Sequence, residues 1–443
     1  MAERPAAERP TAETNSGVGR GLLRGSAVSV AVRLIDLPSR YGFHLLVAAR
    51  LGVAQTGDFY IVFSLMTLLA GLGRIGIDKA MTREVAVACA ENRPGDVRRV
   101  VARGYLWILC ASAFVATILM LVAGPLAARI LEKPELATPI LLGALAIVPQ
   151  NLSTAAGGAL AGLKRIGFSQ MIYSWLWPAL FCGLTWLIPG GVVNTVLLIA
   201  ACFAAAAIIG TLLVLRFAPP GESAKPGASP APLVRPGLSL FTLELTQLAI
   251  SSLPALILGM TADSDRVGLF AVAWRVALLT NVLISGVAGM AAPTFAGLHA
   301  AGDRPGLAQA ARHAVLLGLA LTAAPVLVML AAPGLLLGFL GQGFSDGATT
   351  LRILALGQFG AACFTALPEL LGMTGHLADL RRVNMMAMTV LLMGCALLSP
   401  FWLNDGAALA TTLAILVNGA GAAVAARRTL GIAPWRVSSA SAP

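Results

Sequence analysis

Arg33, Asp36, Arg40 and His44 stand in an otherwise apolar stretch of this 443-residue chain. Their spacing puts them on one face of a helix, as a stripe of two guanidiniums, a carboxylate and an imidazole. Guanidinium forks match phosphate or carboxylate oxygens, so the stripe has the chemistry of an anion-binding wall. Pro38 removes a backbone hydrogen bond in the middle of it. A structural reading stands beside this one: Arg33 and Asp36 neutralise each other, and Arg40 reaches outward to the lipid headgroups. Each such charge costs about 2.5–3.5 kcal/mol at the centre of a bilayer, a cost avoided by facing water, a partner or a ligand.

Further ionisable residues lie in equally apolar stretches: Arg74, Glu244, Arg275, Arg352 and Glu369. Glu244 follows Arg33 by 211 positions, so repeat-related opposite charges are expected to face each other across a cavity. Glu244 and Glu369 are candidate coupling carboxylates, because a carboxylate taken out of water gains by binding a proton or a sodium ion. An ion-pair role stays open for both. The six cysteines are scattered, no His/Cys spacing suits a metal, and no organic cofactor motif has its required context. Gly71-Leu72-Gly73-Arg74-Ile75-Gly76 fits the dinucleotide pattern GxGxxG, but no strand precedes it. Close packing of helices by small residues is the expected use of these glycines.

The elements that position these groups follow from composition and repetition. Hydrophobic residues make up 58% of the chain and charged residues 12%, and the mean hydropathy is +0.83. A water-soluble domain carries about 25% charged residues, so most of this surface faces lipid. Twelve segments are long enough to cross a bilayer: 24–50, 55–79, 104–128, 137–162, 167–188, 191–216, 238–260, 266–293, 308–332, 347–373, 382–401 and 404–426. Arg93-Pro94-Gly95 recurs 211 positions later as Arg304-Pro305-Gly306, and the same offset carries Gly57 onto Gly268 and Phe59 onto Phe270. The expected fold is an all-α polytopic membrane protein, twelve transmembrane helices in two pseudo-symmetric six-helix bundles around a central cavity. The chain divides into a disordered tail (1–21), an N-terminal lobe (22–217), a Pro-rich linker (218–236), a C-terminal lobe (237–430) and a second tail (431–443).

Net charge is +11, but its distribution speaks against a nucleic-acid partner. With the N-terminus inside, 22 of the 31 Lys and Arg fall on cytoplasmic segments and only 4 on the opposite face. That is the positive-inside bias, and it predicts that both termini are cytoplasmic. The N-terminal segment lacks the apolar run of a cleavable signal. Short loops leave no room for an extramembrane catalytic domain, so no enzymatic activity is expected.

Ala49-Arg50-Leu51-Gly52, then Gly57-Asp58-Phe59-Tyr60, then an apolar span closing on Arg83-Glu84-Val85-Ala86, resembles the polysaccharide flippases. These belong to the multidrug/oligosaccharidyl-lipid/polysaccharide exporter superfamily, and the likeness runs from about 22 to 430. The resemblance implies a flippase of the bacterial inner membrane that moves an undecaprenyl-pyrophosphate-linked oligosaccharide for O-antigen or exopolysaccharide synthesis. It implies alternating access, with membrane lipids and polysaccharide assembly proteins as further partners. It also implies a basic cavity in which Arg33, Arg40 and Arg275, with Arg74, hold the diphosphate and Asp36 shares their face. A cation-coupled multidrug exporter of the same superfamily is the alternative. Its cavity would be acidic or aromatic, whereas here five Arg stand in the spans against Asp36, Asp78, Glu244 and Glu369.

Overall fold

The computed structural model describes residues 12–91, 93–219 and 233–432, with side chains from residue 35 onward except those of 234–236, 239, 240, 242 and 243. The Arg33 side chain, most of the expected linker (220–232) and positions 433–443 of the second tail lie outside the described residues. Every regular element among the described residues is helical. In the first half, α1 (Ala12–Arg74) carries the first two spans as two arms, followed by α2 (Ile77–Ala90), α3 (Pro94–Pro125) and α4 (Ala137–Gly162). The fifth span is α5 (Ile166–Gln170), a π-helical turn (Met171–Trp175) and α6 (Leu176–Leu184), and α7 (Val192–Phe217) is the sixth.

The second half repeats this order. It comprises α8 (Val234–Gly259), α9 (Ser264–Ala277) running into α10 (Leu279–Ala300), α11 (Arg304–Ala331) and the short α12 (Pro333–Gly338). A bent pair, α13 (Ala348–Cys363) and α14 (Leu367–Met373), precedes α15 (Leu377–Leu430), which holds the last two spans. Among the described residues, seven helices are each long and apolar enough to cross a membrane, or eight with the bent pair. Two of the seven fold back on themselves, at Gly52 and at Leu403. Adding the bulged fifth span and the shorter apolar helix Glu244–Gly259 gives the twelve spans expected.

Local chemistry explains the breaks. Gly52 adopts φ 70°, ψ −178°, a region open in practice only to glycine, and there the chain reverses. In both halves the Arg-Pro-Gly motif opens a helix, with proline in the first turn where its missing N–H is no loss. Pro178 cannot donate to the carbonyl of Ser174, and the π turn stands just there.

Two expected boundaries shift. α1 begins at Ala12, inside the segment 1–21 expected to be a disordered tail. After Pro10 no proline interrupts the chain until Pro38, so nothing stops the helix from extending toward the N-terminus. α8 begins at Val234, inside the expected linker 218–236, because Pro236 falls in its first turn and is tolerated.

The apolar cores define two ends. At the Gly52 end one core runs through both halves, joining Phe43 and Phe59 to Leu258, Phe270 and Leu351. The end that carries Arg83, Arg98 and Arg304, here the basic end, has two separate cores. Ile77, Ile108 and Leu160, with Leu233, form one, and Phe295, Leu307 and Leu367 form the other. The halves are thus fused at the Gly52 end and parted at the basic end. α8 bridges them by running antiparallel to the second arm of α1, with Gly259 on Ile61, Leu248 on Gly71 and Gly237 on Gly76. The three glycines of the GxGxxG pattern serve this packing: Gly71 and Gly76 admit α8, and Gly73 admits Asn151 and Ser112.

Candidate substrate cavity

Where the halves part, a cavity of about 480 Å³ is walled by α1, Gln170 at the end of α5, and α8 to α10. Asp36, Arg40 and His44 reach it from α1, as the helical spacing predicts, and Arg275 reaches it from the last turn of α9. Asp36 and Arg40 pair at 2.8 Å, and Arg40 also donates to Ser174 Oγ at 3.2 Å, tying α1 to the π turn. Half of the Arg40 side chain stays exposed. Its pairing with Asp36 leaves little net charge there.

Arg275 is the stronger anion anchor. It is partly buried, its Nε is shielded from solvent without a hydrogen-bond partner, and no carboxylate pairs with it among the described residues. Its guanidinium lies 5.3 Å from the centre of the Tyr60 ring and 5.9 Å from that of Phe63. Such faces stabilise a cation. His44 Nδ1 in turn lies 2.8 Å from the Tyr60 hydroxyl, which fixes the ring beneath the arginine.

Two further recesses adjoin. An apolar one of about 340 Å³ is lined by Pro38, Leu45, Val272, Val276, Leu279 and Leu340, and it shares Tyr41, His44 and Arg275 with the polar cavity. The other, about 510 Å³, lies within the second half and shares Gln247, Leu278, Asn281 and Ser285. Glu369 stands on its wall, exposed and without an ion pair among the described residues. The bend that puts it there is at Ala366 (φ 67°), where α14 departs from α13 by 41°.

Arg74 and Glu244 stand elsewhere. Arg74 donates to Asn151 Oδ1 and to Glu244 Oε1, each at 3.0 Å, and Lys79 holds the other Glu244 oxygen at 2.8 Å. Asn151, fully buried, also donates to the Ala70 carbonyl and to Ser112. Neither Arg74 nor Glu244 borders the cavity; together they clamp the second arm of α1 to α8. Glu244 therefore faces Arg74 and Lys79 rather than a partner across the cavity. Arg352 is exposed and donates to the Leu330 carbonyl on α11.

Sequence reasoning passed over the neutral polar wall: Gln170, Gln247, Asn281, Ser285, Gln358 and Asn418. Each is a single amide or hydroxyl in a Leu/Ala-rich helix. Such residues carry no charge to flag them, although they recur at the same depth in several spans.

The Gly52 end is sealed by contacts between the halves. Ser264 donates to Asp58, and Lys133 Nζ donates to the carbonyls of Gly259 (3.2 Å) and Ala262 (2.9 Å) at the end of α8. Burial in this joint pushes the Lys133 amine below its ordinary range. Free carbonyls at a helix C-terminus attract a cation, which gives this lysine its purpose.

Several known proteins share this architecture. The inward-facing form of a multidrug resistance MATE family transporter of the MOP superfamily superposes with TM-score 0.69 at 14% identity, covering 90% of this chain and 98% of that one. Lipid II flippase MurJ, in an inward closed conformation, gives 0.68 at 12% identity, with 90% and 87% covered. A MOP superfamily transporter from Pyrococcus furiosus, described as having a binding pocket of reverse polarity, gives 0.61 at 16%, with 93% and 94% covered. No curated protein matches by sequence. The family described as polysaccharide biosynthesis protein matches residues 22–299, more than half of the chain. With twelve spans in two repeated halves around a cavity, the chain is a multi-pass membrane protein that belongs to this polysaccharide biosynthesis protein family and shares the fold of the MOP superfamily transporters.

Proposed function

We propose that this protein translocates an undecaprenyl-pyrophosphate-linked oligosaccharide across the bacterial inner membrane by alternating access. The observation that carries this reading is Arg275, unpaired by any described carboxylate, at the junction of a polar cavity and an apolar recess. A ligand with a phosphate anion at one end and hydrocarbon at the other suits that junction. The diphosphate meets the fork of Arg275 and the Arg40 side chain, and the polyprenyl chain leaves through the apolar recess to the bilayer. Arg33, three positions before Asp36 in the sequence, is in this reading a further candidate contact for the diphosphate.

The positive-inside bias supports a cytoplasmic position for the basic end and both termini. On that placement the cavity opens to the leaflet where the substrate is made, and the sealed Gly52 end must part to release it. An inward proton or sodium gradient drives the return. Of the two candidate coupling carboxylates, Glu244 is held by two cations, so Glu369 is the one free to exchange a cation.

A second reading, a cation-coupled multidrug exporter, draws support from that same free Glu369, which would suit a cationic drug. The test is genetic. A strain lacking the gene should lose its surface glycan, and wild-type protein should restore it. Arg275→Ala, at equal membrane abundance, should not. Full restoration by Arg275→Ala would remove the arginine from the site. An intact glycan in the deletion strain, together with new sensitivity to cationic drugs, would favour the second reading.

A further inference from the structure

The last turn of α9 divides the space between two adjacent residues. Arg275 faces the cationic cavity, and Trp274 borders the recess of the second half. Trp274 is only 4% exposed, yet its indole N–H has no acceptor among the described residues. A buried donor left without a partner is costly, and although this N–H is itself shielded, its side chain borders a 510 Å³ recess from which an acceptor can reach it when the ring turns. The polar part of the wall is amide and hydroxyl, through Gln247, Asn281, Gln358 and Asn418, with Glu369 as its one charged member among the described residues, set between apolar side chains such as Ile250 and Ile415.

We propose that this recess is a separate subsite for an uncharged sugar residue of the glycan, with Trp274 and Glu369 as its selecting groups. This rests on the reading that Arg275 holds the pyrophosphate. Sugars offer vicinal hydroxyls, each both donor and acceptor, and ring faces that lie against indole. Amides and a carboxylate answer the hydroxyls, and the orphan indole N–H finds an oxygen. A recess of this size holds one or two sugar rings beside the diphosphate. Its charge is opposite to that of the neighbouring cavity, so a second anion is unwelcome. A uronic acid at this position meets Glu369 and is rejected by like-charge repulsion and lost hydration. The diphosphate is thereby read where α1 meets α9 and the sugar within the second half alone, and the seam between Trp274 and Arg275 sets the register of the substrate.

The geometry behind Glu369 shows why the residue is placed and not incidental. Ala366 holds a left-handed φ of 67°, a strained value for a residue with a Cβ. That turn swings α14 out of line and lays Glu369 on the wall. A straight helix would carry the carboxylate elsewhere.

Equilibrium binding to the full-length protein in nanodiscs tests this at fixed pH, where no gradient acts and a coupling role of Glu369 does not enter. Three probes are compared: undecaprenyl pyrophosphate alone, the same lipid with a neutral disaccharide, and the same lipid with a uronic acid in the disaccharide. Wild type should bind the neutral glycolipid about tenfold more tightly than the bare lipid, and the acidic one no better than the bare lipid. Glu369→Gln should leave the bare lipid unchanged and erase the discrimination between the two glycolipids. Trp274→Phe should weaken only the glycolipids, by about fivefold. Equal effects of these variants on bare and glycosylated lipid, at unchanged melting temperature, would overturn the subsite, as would no effect on any probe. Arg275→Ala should weaken all three. If it weakens none while the other two variants behave as stated, the pyrophosphate reading fails and the sugar subsite stands.

Discussion

Gly57 and Gly268, 211 positions apart in the chain, meet face to face across the seam between the two halves. A Cβ on Gly57 would stand 2.9 Å from the Gly268 nitrogen, and one on Gly268 would stand 3.2 Å from the Gly57 nitrogen. Residues at equivalent positions of a repeat touch only where the axis relating them passes between them. The pseudo-two-fold axis therefore runs through this glycine pair, at the sealed end of the molecule. Here the missing side chains let two helix ends approach closely enough for backbone to meet backbone.

Gly57→Ala should keep that end from closing. The added methyl would lie 1.8 Å from the Ser264 carbonyl oxygen, and backbone cannot rotate out of its way as a side chain can. The expected outcome is normal membrane abundance with transport reduced by about tenfold or more. A single cysteine at Val53, in a background without other cysteines, should become more reactive to an impermeant maleimide when Ala replaces Gly57. Unchanged labelling would mean that the seal does not depend on the glycines.

Lys133→Met tests the polar half of the same seal. It removes the donor to the Gly259 and Ala262 carbonyls and leaves the end of α8 unpaired. A partly buried cation at a helix C-terminus contributes up to about 2 kcal/mol, so the closed form should lose that much. Distance measurements between spin labels on α1 and α9 should show a larger population parted at the Gly52 end. An unaltered distribution would make Lys133 an onlooker.

Glu244→Gln should act on stability before it acts on coupling. It leaves Arg74, largely buried, and Lys79 without their shared carboxylate. Removing one partner of a buried pair costs about 3–5 kcal/mol, here lessened because Lys79 reaches solvent. A lower melting temperature in detergent is expected, partly recovered when Arg74→Leu is added. A variant of normal stability that transports without responding to a pH gradient would instead make Glu244 a proton carrier.

The two cavity arginines should differ. Arg40 is half exposed and already paired with Asp36, so Arg40→Ala should weaken binding of undecaprenyl pyrophosphate by less than about tenfold. Arg275, partly buried and without a carboxylate partner among the described residues, should cost about 100-fold when replaced by Ala. Arg275→Lys should recover only part of that, because an ammonium lacks the fork. Calorimetry with the purified protein distinguishes these values, and equal losses would place the charge of the site elsewhere.

The architecture was legible because the bilayer forces it: apolar segments of fixed length, glycine and proline at the breaks, and a repeat that carries Arg-Pro-Gly onto itself. The α1 stripe was legible too, since helical spacing alone puts Asp36, Arg40 and His44 on one face. The partners of Arg74 and Glu244 were not. Whether an intramembrane charge meets a cavity or a counter-ion depends on how α1 packs on α8, which lies 170 residues away in the chain for that pair. The amide wall was missed for a different reason. A lone Gln or Asn in a span reads like a packing residue until Gln247, Asn281 and Gln358 are brought together by three separate helices.

The most direct measurement is translocation itself. Purified protein in liposomes should move a fluorescent undecaprenyl-pyrophosphate oligosaccharide between leaflets far faster than protein-free liposomes do, Arg275→Ala should fall to the protein-free rate, and a cationic dye should not move. If the glycolipid stays in its leaflet with wild-type protein, or the dye crosses and the glycolipid does not, the cavity serves another cargo.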